Sequence, residues 1–163
     1  MNMKKLSMIL TTLFGIGILI FNSCGTVPIT GRRQLNLVSD GEILAASATQ
    51  YRQFISKSQL SHNSTYNNKV TQVGRRLAAA TNIYLKQNGY ESMLSTLSWE
   101  FNVVDSKQVN AFCMPGGKIV VYTGLLNLVG NGAHSDDELA AVMGHELSHA
   151  LAKHANERIS NQM

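Results

Sequence analysis

The sequence predicts an α+β fold, mainly helical, with a small β-sheet. Two observations carry that expectation. Apolar residues recur at helical spacing in two long segments between Asp40 and Gln87, and again after Asp136. Between Leu97 and Thr123 the period shortens to two, and β-branched and aromatic residues accumulate. A length of 163 residues allows one domain.

Composition narrows the class. With 44% hydrophobic residues and 2 prolines, disorder is excluded, and 2 cysteines cannot build a disulfide framework. The net charge is +4. Removing Lys4 and Lys5 with a leader leaves 12 Lys+Arg against 10 Asp+Glu, a balance of +2. That balance, without a basic stripe or an aromatic platform, speaks against nucleic acid as a partner.

Residues 1–23 have the form of a signal peptide. Lys4 and Lys5 supply the positive start, and Leu6 to Phe21 is an apolar run too short for an ordinary membrane span. Ser23 then stands directly before Cys24, which resembles a bacterial lipoprotein cleavage site, although Phe21 and Asn22 depart from the usual Leu and small residue. The resemblance implies a lipid on Cys24 as the first mature residue. An ordinary signal with an incidental cysteine, or an uncleaved anchor, are the alternatives. With Cys24 lipidated, Cys113 is left alone in an apolar stretch, Ala111 to Met114, and is expected to be a buried thiol.

The elements follow in order. Residues 24–38 show no clear period and are expected to form a tether, with the domain occupying 39–163. Ser39 and Glu42 form a capping box for a helix reaching about Lys57, with Ile43, Leu44, Ala48, Tyr51, Phe54 and Ile55 at helical spacing. A second helix fits Tyr66 to Gln87 with Val70, Val73, Leu77, Ala80 and Tyr84 on one stripe, and Arg75 and Arg76 on a solvated face. Leu97 to Val104 alternates as a half-buried strand. Asn110 to Met114 is a short strand, Pro115-Gly116-Gly117 a turn, and Lys118 to Thr123 a further strand. A short helix runs from Gly124 to Val129. Ser135 and Glu138 suggest a second capping box, opening an apolar helix that continues beyond Arg158.

That last helix carries His145-Glu146-Leu147-Ser148-His149. Residues four apart on a helix share a face, so His145 and His149 can grip one Zn²⁺, whose preferred ligands include imidazole. Glu146, one step round, reaches a water on the ion and can act as general base. Gly144 would permit close backbone approach. A third protein ligand is missing. In one pattern a third His follows the motif after a Gly; Ala152 and Ala155 stand at those positions here. His154 is about 140° round an unbroken helix from His149, so it suits a contact behind the ligands or the rim of a groove. The simplest completion is a carboxylate from a later helix.

These residues, with Pro28-Ile29-Thr30-Gly31-Arg32-Arg33-Gln34-Leu35, Asn110-Ala111-Phe112, Tyr122-Thr123-Gly124-Leu125-Leu126 and Asp137-Glu138-Leu139-Ala140-Ala141-Val142-Met143-Gly144 leading into the motif, resemble the M48-type zinc metallopeptidases, specifically their bacterial lipoprotein branch. The resemblance implies the N-terminal portion of a zincin-like domain. It implies an endopeptidase for misfolded or misassembled envelope proteins, anchored through Cys24 in the outer membrane and facing the periplasm. It implies one Zn²⁺ per chain on His145 and His149, with Glu146 catalytic. A substrate groove would run along Asn110, Ala111, Phe112, Pro115, Gly116 and Gly117, where a peptide adds to a strand edge. The family's third ligand, a Glu, and a later His or Arg for the oxyanion would lie beyond Met163. The competing expectation is a lipid-anchored peptide-binding or chaperone-like module without catalysis.

Overall fold

A computed structural model describes residues 24–27, 29, 31, 33–35, 38–154 and 157. The expected signal peptide, residues 1–23, lies outside them. The described chain is mainly helical with a small three-stranded sheet, as the sequence predicts.

The first described piece is a pair of strands. Strand β1 (Cys24–Thr26) pairs antiparallel with β2 (Arg33–Leu35), and Val27 just after β1 is buried at 1% exposure. Helix α1 (Asp40–Lys57) starts at the expected capping box. The Glu42 amide donates to Ser39 Oγ at 3.3 Å, and the Ser39 amide donates to Glu42 Oε2 at 3.1 Å. The Ser39 hydroxyl, then its amide, hold the Glu42 carboxyl below the usual carboxylate range. Ile43, Ser47 and Tyr51, four apart, form the buried face of α1.

Helix α2 (Ser64–Gln87) is capped by Asn63, whose side chain accepts from the Tyr66 amide at 3.2 Å. Its buried face is Val70, Val73, Gly74, Ala78, Thr81 and Leu85. Ala80 and Tyr84, expected on that stripe, are exposed. At about 100° per residue Ala80 and Tyr84 turn to one side of Val70 and Thr81 and Leu85 to the other, the side on which Gly74 and Ala78 are also buried. A 3-10 helix at Glu91–Thr96 was not expected; six residues are too few to show a period.

Strands β3 (Glu100–Val104), β4 (Ala111–Met114) and β5 (Lys118–Tyr122) form the sheet in the order β3-β5-β4. β5 is central, parallel to β3 and antiparallel to β4. Pro115-Gly116-Gly117 makes the hairpin turn, with φ +90° at Gly116 and +79° at Gly117. The sheet is covered on both faces. Val103, Ala111, Ile119 and Val121 pack with Val70 and Val73 of α2 and with the last two helices; Val104 and Val120 pack with Tyr51, Phe54 and Ile55 of α1. The half-buried strand expected at 97–104 is therefore apolar on both sides at its end.

Helix α3 (Thr123–Val129) follows β5 directly. A Cβ on Gly124 would lie 2.3 Å from the Gln108 carbonyl oxygen, so only glycine lets the 105–108 loop cross here. Thr123 Oγ1 lies 3.1 Å from Asp105 Oδ1 and accepts from the Ser106 amide at 3.0 Å, fixing the same crossing.

The last helix, α4 (Ser135–Leu151), departs from expectation at both ends. His134 occupies the N-cap with no side-chain bond, so the second capping box does not form. Ser135 is buried, and its hydroxyl accepts from Lys69 Nζ at 2.7 Å. The same ammonium donates to the Gly130 carbonyl at 2.8 Å and lies 3.6 Å from Asp136. The helix, expected unbroken beyond Arg158, breaks after Leu151, and among the described residues His154 and Glu157 are helical again. Ala152 caps it, and Lys153 takes a left-handed φ of +55° while pairing with Asp40 at the start of α1. No helix among the described residues is long and apolar enough to cross a membrane.

Candidate metal centre and strand-edge groove

Leu139, Met143 and Leu147 seat α4 in the core at 0%, 0% and 4% exposure. The same helix therefore presents His145 and His149 on its outer, exposed face, with Glu146 half-buried between the two faces. His145 Nε2 lies 3.1 Å from His149 Nε2, the rings meeting edge to face at a centroid distance of 4.5 Å. Two imidazoles holding a tetrahedral ion at about 2.0–2.1 Å place their nitrogens about 3.3 Å apart. The pair thus fits half of a zinc site. Among the described residues no group of three or more His, Cys, Asp or Glu side chains is arranged to hold a metal. Gly144 has no packing role of the kind expected, since a Cβ there would meet only Leu77 at an ordinary 3.8 Å.

The break after Leu151 turns His154 back toward the motif. His154 Nδ1 lies 2.8 Å from His149 Nδ1, on the opposite side of that ring from His145. His154 contacts a motif histidine from behind, one of the two places expected for it.

β4 has a strand partner on one side only among the described residues and packs against α4. Strand alternation divides its side chains. Ala111 and Cys113 face the α4 side. Phe112 and Met114 face α1, where Phe112 meets Phe54 edge to face at 5.2 Å. Burial, then the negative charge of Glu146, pushes the Cys113 thiol up to about 12. Cys113 therefore lies near Glu146 and stays protonated, though it is half-buried where a buried thiol is expected. Pro115, Gly116 and Gly117 line a cavity of about 280 Å³ together with Leu147, Ala150 and Leu151 of α4. Asn110, exposed, joins the sheet through its carbonyl, which accepts from the Tyr122 amide at 3.0 Å. The residues expected along a groove are thus brought to one strand and its turn, but Phe112 points away from the histidine helix. The side chain of Cys24 lies outside the described structure; its backbone pairs with Leu35.

Sequence reasoning missed Lys69. Its buried ammonium joins the end of α3 to the start of the motif helix, 61 and 66 residues away, and no local pattern announces such a partner.

Comparison with known proteins gives the class of the chain, a metallopeptidase family. Residues 64–163 match peptidase family M48, and the chain belongs to that family. It is 32% identical over 146 residues to the mitochondrial metalloendopeptidase OMA1 of Schizosaccharomyces pombe, covering 90% of this chain and 40% of that protein. The human mitochondrial metalloendopeptidase OMA1 is 31% identical over 134 residues, which is 80% of this chain and 24% of that protein. The metalloprotease LoiP of Escherichia coli is 39% identical over 57 residues, 35% of this chain and 21% of that protein. The chain spans less than half the length of each of these relatives.

Proposed function

We propose that the chain contributes the zinc-binding helix and the groove strand of a metalloendopeptidase. The observation that carries this reading is the 3.1 Å convergence of the His145 and His149 Nε2 atoms, with Glu146 adjacent on the same helix. Zinc, when bound, supplies Lewis acidity toward a substrate carbonyl and a water. His145 and His149 would hold it, and a carboxylate outside the described residues would complete the set. Glu146 takes the proton of the attacking water and delivers it to the leaving amine. The seating of α4 in the core fixes the backbone that carries these side chains. The edge of β4 that has no strand partner among the described residues offers backbone donors and acceptors to an extended polypeptide, aligning it beside α4 whatever its side chains. That sequence tolerance suits unfolded or misassembled proteins as substrates.

The leader-like residues 1–23 and Cys24 support a lipid-anchored protein of the cell envelope, in the outer membrane facing the periplasm. The partners in this reading are polypeptides and the membrane.

The deciding experiment is Glu146→Gln in the whole protein, with metal content and cleavage of an unfolded substrate such as casein measured together. The expected outcome is retained zinc and lost proteolysis. Unchanged cleavage removes Glu146 from the reaction, and a wild-type protein that takes up no zinc removes the metal.

A further inference from the structure

We infer that His154 is the positioning residue for His149. It accepts the His149 Nδ1 proton and so leaves Nε2, the atom turned toward His145, free to bind a metal. This rests on the metal reading above and assigns a role to a residue outside the motif.

The geometry is specific about which atoms are involved. His149 uses its two nitrogens in opposite directions, Nε2 toward His145 at 3.1 Å and Nδ1 toward His154 at 2.8 Å. A neutral imidazole carries one proton. If His149 donates through Nδ1, its Nε2 has a lone pair for the ion. If His154 donated instead, the proton of His149 would sit on Nε2 and block it. Metal-binding histidines regularly donate their second N–H to a fixed acceptor, which sets both tautomer and ring angle. Here the acceptor is itself an imidazole, whose own proton is then on Nε2.

The backbone is built for this contact. In a continuous helix His154 would lie about 140° from His149 and point elsewhere. The helix ends instead at Leu151, and Lys153 adopts φ +55°, a conformation uncommon in a residue with a Cβ. The pairing of Lys153 Nζ with Asp40 holds that turn against the start of α1, 113 residues away. That ion pair and the Lys153 amide, which donates to the Ala150 carbonyl at 3.2 Å, both act on the turn that brings His154 back to the ligand.

The test uses the whole protein and two readouts. In metal-free wild type, ¹⁵N shifts of His149 should show a protonated Nδ1 and an unprotonated Nε2. His154→Ala should mix the tautomers and weaken zinc binding, measured by competition with a chromophoric chelator, by about 10- to 100-fold. His154→Gln, which restores an acceptor, should recover part of the affinity. It also serves as the comparison if the alanine variant does not fold. A protonated His149 Nε2 in the wild type overturns the inference. So does a folded His154→Ala variant whose zinc affinity equals that of the wild type. Because wild-type zinc uptake is measured in the same experiment, loss of the metal reading is distinguished from loss of this one.

Discussion

Cys113 shows how one side chain reports on its neighbours. Its thiol is raised to about 12 by burial and by Glu146, against an ordinary value of 9.0. A raised folded-state value favours the folded protein fully below pH 9, and that contribution is lost as pH climbs from about 9 toward 12. At pH 8 the folded protein should alkylate at Cys113 far more slowly than the urea-unfolded chain, read by site-resolved mass spectrometry. Equal rates would show that the thiol is not buried. Glu146→Gln removes one source of the shift and should speed the folded-state reaction modestly. Lys69 is a second informative residue. Lys69→Met leaves the Gly130 carbonyl and the Ser135 hydroxyl without their donor and should cost about 1–3 kcal/mol in urea denaturation. A cost near zero would mean that water replaces the ammonium.

Single elements differ in how plainly the sequence announces them. The start of α1 is legible because Ser39 and Glu42 satisfy one another three residues apart. The start of α4 carries the same signature, yet Ser135 bonds to Lys69, a partner 66 residues away that no local pattern reveals. The stop of α4 is hidden for the same reason: Ala152-Lys153-His154-Ala155 favours helix, and Asp40 is far off in the chain. The motif itself was plain, since two histidines four apart share a face in any α-helix. The sequence left His154 between a contact behind the ligands and the rim of a groove, and the break after Leu151 decides it. Two element-scale predictions follow from this contrast. Ser39→Ala should cost about 1 kcal/mol, the worth of an N-cap, in thermal or urea unfolding. Gly124→Ala puts a methyl into backbone that cannot give way and should cost about 2 kcal/mol or more; a neutral result would mean that the 105–108 loop moves aside.

For the whole molecule, the short distance between the N-terminal pair of strands and the core matters. Val27 is buried only three residues after Cys24, so a lipid there would hold the domain close to the bilayer without a long free linker. Cys24→Ala should move the protein from the membrane to the soluble fraction on fractionation. Unaltered membrane association would rule out Cys24 as the anchor. The sequence predicted a small sheet but not its strand order. Placing β5 between β3 and β4 needs a parallel pairing of β3 with β5 that passes over β4 in the chain, and alternation in single strands says nothing about neighbours.

The central strand has a consequence of its own. Ile119, Val120 and Val121 are all fully sealed from solvent, so slipping β5 by one position would exchange one greasy face for another at little loss. Correct alignment must be enforced where the strand stops being uniform. At one end Lys118 is tied to Glu100 and the Ser98 carbonyl; at the other Thr123 is tied to Asp105 and Ser106. Loosening both ties together should yield misaligned, aggregation-prone sheets even though every apolar residue is retained.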